Sequence, residues 1–518
     1  MTAIQGPDER NLIPRWRAFG DAVRSGELDS ARSKRREVSE DVGQRIAGFE
    51  EAKNAFIRSP GIHSSSDLLT QAVLGRHHLD GTTRTAAQHV LEVDAPAALK
   101  SLATKALADD SGSGQDENDL PSEFNLDATA HRIHHLRSIL RREPLNAVRW
   151  TDLALAQVKL GSLVAAERSI RAAVQLQPNN RFVLRSAVRL YLLLDQPDMA
   201  HRVITKAPAN LDDPWLRATA LTTARISGVA GVSVRSSRRV LESGTHSPWH
   251  LSELASQVAT LELDGGNVRR ARQMMRTALV DPTENSLAQA EWAASHGLSA
   301  PATDASHRRV SFEANAISHK SAGRFAEGLE ACLLWLADQP FDPSPAIFAS
   351  YLASVGLEEY GIAERAASQG LIANPNDELL RNNLVFALAN QGKTKEAREQ
   401  IDRIIQPASG SRESITLMAT EGLVRFKEGD AEGARSLYAA AVDRLVTLGQ
   451  TDRAALANIF WAREEIRQGT RHASAIATNA LALSRRASRH EVQLWSQRLV
   501  NDLERISSAD PARDSHLR

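Results

Sequence analysis

The chain has 518 residues, far more than one compact core needs, which favours several domains or a repeat array. Its 63 basic and 63 acidic side chains give a formal net charge of zero, so the composition gives no support for a direct nucleic-acid partner. The single cysteine, Cys332, excludes an intramolecular disulfide framework.

The beginning of the chain and its hydropathy bear on localisation. The first ten residues, MTAIQGPDER, contain no basic stretch followed by an apolar run, so they do not have the pattern of a secretory signal. No window comes close to roughly 18 uninterrupted apolar residues, so no membrane span is predicted. One cysteine fits a reducing compartment. We therefore expect a cytoplasmic protein with no membrane partner.

Residues 1–107 are predicted to form an N-terminal helical domain. Segments around NLIPRWRAFGDAVRSGEL, VGQRIAGFEEAKNAFIR, SSDLLTQAVLG and APAALKSLATKALA have helical patterns, punctuated by glycines. The cluster Arg15-Trp16-Arg17 has two interpretations. It is either an anchor onto a partner, because tryptophan and arginine dominate binding hot spots, or a buried tryptophan with solvated arginines beside it.

Residues 108–124 are predicted to be a solvated linker. The stretch ADDSGSGQDENDLPSE, residues 108–123, carries six acids and no base around a Ser-Gly-Ser-Gly core, a composition that cannot bury enough surface to order itself. The sequence then predicts a repeat array over residues 125–506 and a disordered tail over residues 507–518.

Residues 147–180 have the pattern of two helices joined by a short turn. Trp150 and Ala154 fall at helical spacing, Gly161 interrupts the helix, and Pro178 ends the unit. The pattern resembles the tetratricopeptide repeat (TPR), as found in bacterial TPR proteins, whose period is about 34 residues. The resemblance implies an all-α fold, in which an α-α superhelix with a concave groove follows the N-terminal helical region.

The same period recurs along the chain. Further units are residues 181–208, 252–285, 309–342, 344–377, 378–411, 415–448 and 455–488. The stretch 209–251 fits poorly, although Trp215 and Trp249 favour helices there. Glycines are predicted in the turns between paired helices, at positions 161, 266, 323, 392, 429 and 469. One hairpin alone leaves apolar surface exposed, and the next hairpin covers it, gaining about 25 cal/mol per Å².

The segment FALANQGKTKEAREQ, residues 386–400, contains Gly392-Lys393-Thr394, which looks like the end of a phosphate-binding loop. Such a loop needs a glycine five residues before its final Gly-Lys pair, and it must follow a strand. The required position holds Ala387, within a helical pattern. We therefore interpret Gly392 as a helix-ending residue in a left-handed conformation.

The densest group of candidate metal ligands is the histidine cluster His131, His134 and His135. Their spacing places the imidazoles on one helical face, as a metal site requires, but no glutamate or cysteine accompanies them and the flanking arginines would repel a cation. We interpret the group as a solvated basic helix. His77 and His78 could join it across the linker, and this alternative has no more support.

Cys332 lies at an interior position of a predicted second helix, between Leu329 and Leu333. A core thiol is the favoured interpretation, because the sequence specifies no histidine near it that could make it a nucleophile. The sequence therefore predicts no catalytic residue, no metal and no cofactor, and a protein that is not an enzyme.

The resemblance to TPR proteins also implies where a partner binds. In that family the groove is lined by side chains of the first helix of each unit. Mapping this chain onto that geometry predicts the binding residues Phe182, Arg185, Arg189, Asn382, Phe386, Ile459, Arg463 and Arg467. Arginine beside an aromatic ring suits an extended peptide with acidic side chains or a free carboxylate. The alternative is that these arginines are ordinary solubilising residues.

Three hypotheses for function follow. The leading one is a non-enzymatic TPR scaffold or adaptor that binds another protein or peptide in the groove, as a subunit of a multiprotein complex. The second is a regulator in which a bound peptide changes the curvature of the array. The third is an enzyme whose site is hidden in the N-terminal region, around His77, His78 and His89.

Overall fold

In this computed structural model, the structure describes residues 10–19, parts of 52–107, and 126–509 apart from the short stretches 207–210, 230–232, 299–310 and 405–411. These residues divide into two compact units. One contains residues 10–18 and the described part of 126–509, and the other contains the described residues between 19 and 107.

The predicted linker, residues 108–124, lies outside the described residues, as do residues 510–518 of the predicted tail. His77 and His78 also lie outside them. The domain boundaries therefore stay a prediction. Two observations differ from the predicted boundaries. Residues 10–18 group with the array, and the last helix continues to Ala509.

The unit between residues 19 and 107 contains helix α1, Gly81–Glu92. Asp80 caps it, because its carboxylate accepts a hydrogen bond of 2.9 Å from the backbone N–H of Thr83. Burial alone would raise the pKa of Asp80, but this bond and an ion pair with Lys53 lower it to about 2. The apolar side of α1 packs in a cluster with Phe56.

The larger unit is an array of antiparallel helices, with no strand among its described residues. Its helices are α2 (Leu126–Arg142), α3 (Ala147–Lys159), α4 (Leu163–Leu176), α5 (Arg181–Leu193), α6 (Pro197–Thr205), α7 (Pro214–Ser227), α8 (Val234–Glu242), α9 (Pro248–Asp264), α10 (Val268–Ala278), α11 (Glu284–Ser295), α12 (Phe312–Ser321), α13 (Phe325–Asp338), α14 (Pro343–Tyr351), a π-helix (Leu352–Leu357), α15 (Tyr360–Ala373), α16 (Glu378–Asn390), α17 (Thr394–Asp402), α18 (Arg412–Glu428), α19 (Ala431–Thr447), α20 (Thr451–Arg467), α21 (Ala473–Ser484) and α22 (His490–Ala509).

Consecutive helices pack in pairs. The hairpins are α3 with α4, α5 with α6, α9 with α10, α12 with α13, α14 with α15, α16 with α17, α18 with α19, and α20 with α21. The first helices also contact one another, in the orders α3, α5, α7, α9, α11, α12 and α14, α16, α18, α20, α22. We call the surface formed by these first helices the inner face. This arrangement confirms the predicted all-α superhelix.

Capping side chains set where the first helices begin. In each of α3, α5, α7, α9, α11, α12, α14 and α16, the residue before the helix accepts a hydrogen bond from a backbone N–H of the first turn, which satisfies a donor that the helix itself cannot. These caps are Asn146, Asn180, Asp213, Ser247, Thr283, Ser311, Asp342 and Asp377. They recur at roughly regular intervals, so local sequence fixes where these eight helices begin.

The predicted turn glycines end helices. Each of the six has a positive φ, between 61° and 91°: Gly161, Gly266, Gly323, Gly392, Gly429 and Gly469. At φ 77°, Gly392 lies between α16 and α17 and adopts the left-handed conformation that a side chain disfavours. The interpretation of the Gly-Lys-Thr stretch as a helix end is therefore confirmed.

The stretch 209–251, which fits the repeat poorly, also contains helices. Its tryptophans Trp215 and Trp249 begin α7 and α9, and their ring centroids lie 4.7 Å apart. Both side chains are buried. The helices expected from these two tryptophans are therefore confirmed, and aromatic packing joins neighbouring units where the repeat pattern is weak.

The array contacts itself between elements that are distant in sequence. A Cβ on Gly161 would lie 2.5 Å from the carbonyl oxygen of Ile372, and α3 packs against α15. At the other end, the indole Nε1 of Trp495 on α22 donates a hydrogen bond of 2.5 Å to the carbonyl oxygen of Val355 in the π-helix. Both the early and the late helices of the array therefore contact its middle, around residues 352–373.

None of the helices in the described ranges combines the length and the apolar character that crossing a membrane requires.

Candidate functional site

Residues 10–18, the N-terminal segment, lie across the inner face without regular secondary structure. The hydroxyl of Thr222 on α7 donates to the carbonyl oxygen of Leu12 at 3.2 Å. The side-chain amide of Asn285 on α11 donates to the carbonyl oxygen of Ile13 at 3.1 Å. The helix predicted to begin here is wrong for these residues, because Pro14 lacks an N–H and disfavours helical dihedrals at the residue before it.

Arg10 makes the most extensive side-chain contacts of the segment. Its Nε and Nη2 donate to the two carboxylate oxygens of Glu313 on α12 at 2.8 and 3.1 Å. Its Nη1 and Nη2 also donate to Gln289 and Asn285 on α11 at 2.5 and 2.6 Å. The paired geometry matches a planar guanidinium to a planar carboxylate, which a lysine cannot reproduce.

Arg15 and Arg17 complete an acidic contact zone. Arg15 donates to Glu313 at 3.0 Å and lies 3.2 Å from Glu284. Arg17 binds both oxygens of Asp338, at 2.9 and 2.7 Å, and both oxygens of Glu284, at 3.2 and 2.9 Å. Three arginines of the segment therefore meet three carboxylates from different helices. We call Glu284, Glu313 and Asp338 the acidic triad.

Burial and the neighbouring arginines have opposite effects on the pKa values of two carboxylates in the acidic triad. Burial alone would raise the pKa of Glu313, but the guanidinium groups of Arg10 and Arg15 hold that pKa below its usual value. Burial likewise would raise the pKa of Asp338, and Arg17 and Arg15 lower it. Both carboxylates are therefore ionised at neutral pH because the segment supplies their counter-charges.

Trp16 anchors the segment in an apolar cluster. Its side chain is only 1% exposed, and its ring meets Phe341 edge-on at 5.7 Å. Leu184 and Ala373 belong to the same cluster. The interpretation of Trp16 as a buried tryptophan is confirmed, whereas the solvated arginine flanks expected beside it are wrong because both arginines are ion-paired.

The predicted binding residues on α5 are buried. Arg185 pairs with Glu253 at 3.0 Å, and its guanidinium lies 4.4 Å from the ring centroid of Trp215. Arg189 pairs with Asp342 at 2.5 Å. Phe182 is also buried. Charge reversal of either arginine would bring two carboxylates together inside the array, so these side chains contribute to the fold.

Three other predicted binding residues meet at a small pocket on a later part of the inner face. Phe386, Arg463 and Arg467 line it together with Tyr360, Asn390, Leu423, Phe460 and Glu464. We call this site the rear pocket. The rings of Phe386 and Phe460 approach edge-on at 5.2 Å. Burial raises the pKa of Tyr360 to about 12, so its hydroxyl stays neutral.

The remaining predicted residues lie away from that lining. Ile459 is fully buried, and Asn382 is 8% exposed. The Asn382 Oδ1 atom has no hydrogen-bond partner among the described residues. The structure therefore brings together part of the predicted set, at the rear pocket, and places the rest inside the packed array.

The other candidate side chains have ordinary surroundings. His131, His134 and His135 are exposed on α2. Cys332 is fully buried, as predicted for a core thiol, and burial raises the pKa of its thiol. His89 lies on α1 near Phe56. Within the described ranges, no group of three or more His, Cys, Asp or Glu side chains is placed to hold a metal ion.

Sequence reasoning missed the acidic triad. Its members are separated from their arginine partners by up to 321 residues, so no local pattern pairs them. One signal was present: the stretch RNLIPRWR, residues 10–17, contains three arginines and no acid. Such a stretch requires acidic partners from elsewhere in the chain if it is buried.

No protein-family model matches the chain, and no curated protein matches it in sequence. Among solved structures, it is similar to the crystal structure of yeast Tom70, at 11% identity over 87% of this chain and 97% of that chain, with a TM-score of 0.29. It is also similar to a circular tandem repeat protein with novel repeat topology, at 14% identity over 94% of each chain, with a TM-score of 0.11. At such TM-scores neither similarity supports an argument, and the fold assignment rests on the helices described above.

Proposed function

We propose that the protein is a non-enzymatic scaffold or adaptor that binds a segment of another protein on the inner face of its helical array, as a subunit of a multiprotein complex. The observation that carries this proposal is the rear pocket, where half-buried aromatic rings and two arginines converge. Tyrosine and arginine, both present in this lining, are among the side chains that dominate the binding energy of protein interfaces.

The charges around the rear pocket favour an acidic ligand. Glu464 is shared between Lys427 at 2.8 Å and Arg467 at 2.5 Å. Arg463 pairs with Glu358 and Asp502, at 2.7 and 3.0 Å. Arg467 is 42% exposed, so a partner can reach it. An acidic side chain or a free carboxylate would add a counter-charge for Arg467, whose partner Glu464 also pairs with Lys427.

The N-terminal segment supports the proposal independently. It is a stretch of irregular polypeptide held on the same inner face through main-chain carbonyl oxygens and through side chains. The first helices of this array therefore present donors and acceptors that suit an irregular peptide. A partner's segment would use the same kind of contact at the rear pocket.

Peptide selection with the full chain tests this function. A random peptide library panned on the immobilised protein should enrich acidic sequences, and calorimetry should give their affinities. Arg467→Glu should weaken binding of an enriched peptide by at least about tenfold, because a repulsive charge replaces an attractive one. Arg471→Glu is the matched control, since Arg471 is exposed and does not line the pocket.

Enrichment of no acidic peptide over an unrelated bait would overturn the assignment of the rear pocket. Equal loss of affinity in the Arg467 and Arg471 variants would do the same, because it would indicate a general effect of charge.

A further inference from the structure

We propose that the acidic triad and the apolar cluster beside it form a second recognition site, for an arginine-rich segment of a partner protein, and that residues 10–17 occupy this site as an internal ligand. The inference rests on the proposed function, because it supposes that the inner face binds polypeptide from a partner. It adds a site with the opposite ligand charge.

The chemistry of the ligand follows from what the segment neutralises. Glu284, Glu313 and Asp338 come from α11, α12 and α13, and the counter-charges that lower the pKa of Glu313 come first from Arg10 and Arg15. A vacated site would leave three carboxylates close together in a poorly solvated place, which is strongly unfavourable. Any segment that replaces residues 10–17 must therefore bring its own arginines.

The spacing of the ligand is equally constrained. Arg15 and Arg17 both contact Glu284, while Trp16 between them turns into the apolar cluster at Phe341. The site therefore accepts arginines on either side of one bulky apolar residue, in an extended or irregular chain. The carbonyl contacts from Thr222 and Asn285 depend on the main chain and place no demand on sequence.

Residues 10–17 leave some buried donors without acceptors, which favours their replacement by a partner segment. The indole Nε1 of Trp16 and the Nε of Arg15 are buried and have no hydrogen-bond acceptor among the described residues. A buried donor without an acceptor destabilises the bound state of the segment. A cavity beside the segment is lined by Arg10, Pro14 and Asp342, among others. A partner segment that occupied the site without such unsatisfied donors would compete favourably with residues 10–17.

Tethering opposes exchange and sets how it must be measured. A segment covalently attached to the protein competes at an effective concentration on the order of millimolar. A free peptide will therefore bind the wild-type chain weakly. Weakening the attached segment should therefore strengthen binding of the free peptide.

The test uses a fluorescein-labelled peptide of sequence RNLIPRWRA, residues 10–18, and the full chain, with binding followed by fluorescence anisotropy. Arg17→Ala should bind this peptide at least about tenfold more tightly than wild type, because the internal competitor is weakened and the acidic triad is intact. Arg171→Ala, on the exposed surface of α4, is the matched control and should bind as wild type does. A peptide with its three arginines replaced by glutamine should not bind.

A folded Arg17→Ala protein that binds the peptide no better than wild type would overturn the inference, and so would equal binding of the glutamine peptide. If Arg17→Ala does not fold, Arg15→Lys replaces it, since lysine keeps the charge but has one nitrogen where Arg15 uses two to reach Glu284 and Glu313. A dimer of wild-type chains formed without peptide, detected by light scattering, would assign the site to a second copy and overturn the partner assignment. If no acidic peptide binds at the rear pocket but RNLIPRWRA still binds, the proposed function of the rear pocket is wrong and the present inference is supported.

Discussion

Glu313 is a buried carboxylate that two arginines of the N-terminal segment keep ionised. Burial opposes the charge and the arginines favour it, and the net effect on the pKa is downward. A carboxyl group whose pKa is lower in the folded state stabilises the fold above its unfolded pKa. That stability is lost as the pH falls through the folded pKa.

Glu313→Gln tests this linkage. At pH 7 the variant should be less stable than wild type by about 3–5 kcal/mol, because removing one partner leaves buried arginines uncompensated. The difference should shrink as the pH falls below the unfolded pKa of Glu313 and through its lowered folded pKa, because a protonated glutamate resembles glutamine. Urea midpoints of both proteins from pH 7 downward measure it. A difference that stays constant with pH would contradict the ionised state of Glu313.

The sequence predicts the surroundings of a residue well when its contacts are local in the chain, and poorly when its contacts are distant in the chain. Cys332 and Gly392 were placed correctly because helical spacing and turn geometry are local properties. Arg185 and Arg189 were expected to face a partner in the groove and are instead buried against Glu253 and Asp342. A composition with equal numbers of acids and bases is compatible with many such pairings, so only tertiary structure selects them.

At the scale of elements, the π-helix at Leu352–Leu357 is one of the elements that α22 contacts, beside α20 and α21. A π-helix displaces backbone hydrogen bonds from their usual partners, and such distortions often mark special sites. Here the carbonyl oxygens of Val355 and Gly356 accept from Trp495 and from Arg498 on α22. The irregular turn that follows α14 therefore contributes two hydrogen bonds to the docking of the last helix.

Two substitutions at Trp495 separate hydrogen bonding from packing. Trp495→Phe keeps most of the apolar contact and should cost about 1 kcal/mol for the lost bond to Val355. Trp495→Ala also removes the buried ring and should cost about 3–5 kcal/mol, releasing α22 from the π-helix. Thermal unfolding and limited proteolysis at α22 measure the two effects. Equal costs for the two variants would show that the ring packing contributes nothing.

The sequence located elements better than it located contacts between them. Capping residues and turn glycines mark most of the hairpins, and both recur with the repeat. The π-helix was not anticipated, because LASVGL has no local feature that separates it from an ordinary helix. Its distortion accompanies the docking of α22, which is a tertiary interaction.

At the scale of the array, Trp16 joins its first hairpins to its middle. Trp16, Leu184, Phe341 and Ala373 share one apolar cluster. In an open solenoid each repeat contacts only its neighbours, so distant repeats open independently. In this array, distant repeats are coupled through that cluster, so we expect α3, α5 and α15 to open together.

Hydrogen exchange measured by mass spectrometry tests the coupling. Trp16→Ala should lower the opening free energy of both α5 and α15 by about 3–5 kcal/mol, because a buried ring that both regions share is lost. Trp150→Ala is the control, since Trp150 packs with α2 at the start of the array. It should affect α2 and α3 and leave α15 unchanged. Loss of protection confined to one side of Trp16 would contradict the coupling.

Gly161 limits how many repeat units the array can gain or lose. Repeat proteins commonly gain or lose whole units by duplication or deletion, and an open spiral tolerates either. In this chain the turn at Gly161 fits directly against the carbonyl oxygen of Ile372, with no space for a Cβ. An added or deleted unit between these two positions would carry them out of register, so the number of hairpins between them is fixed by the fit of a single residue.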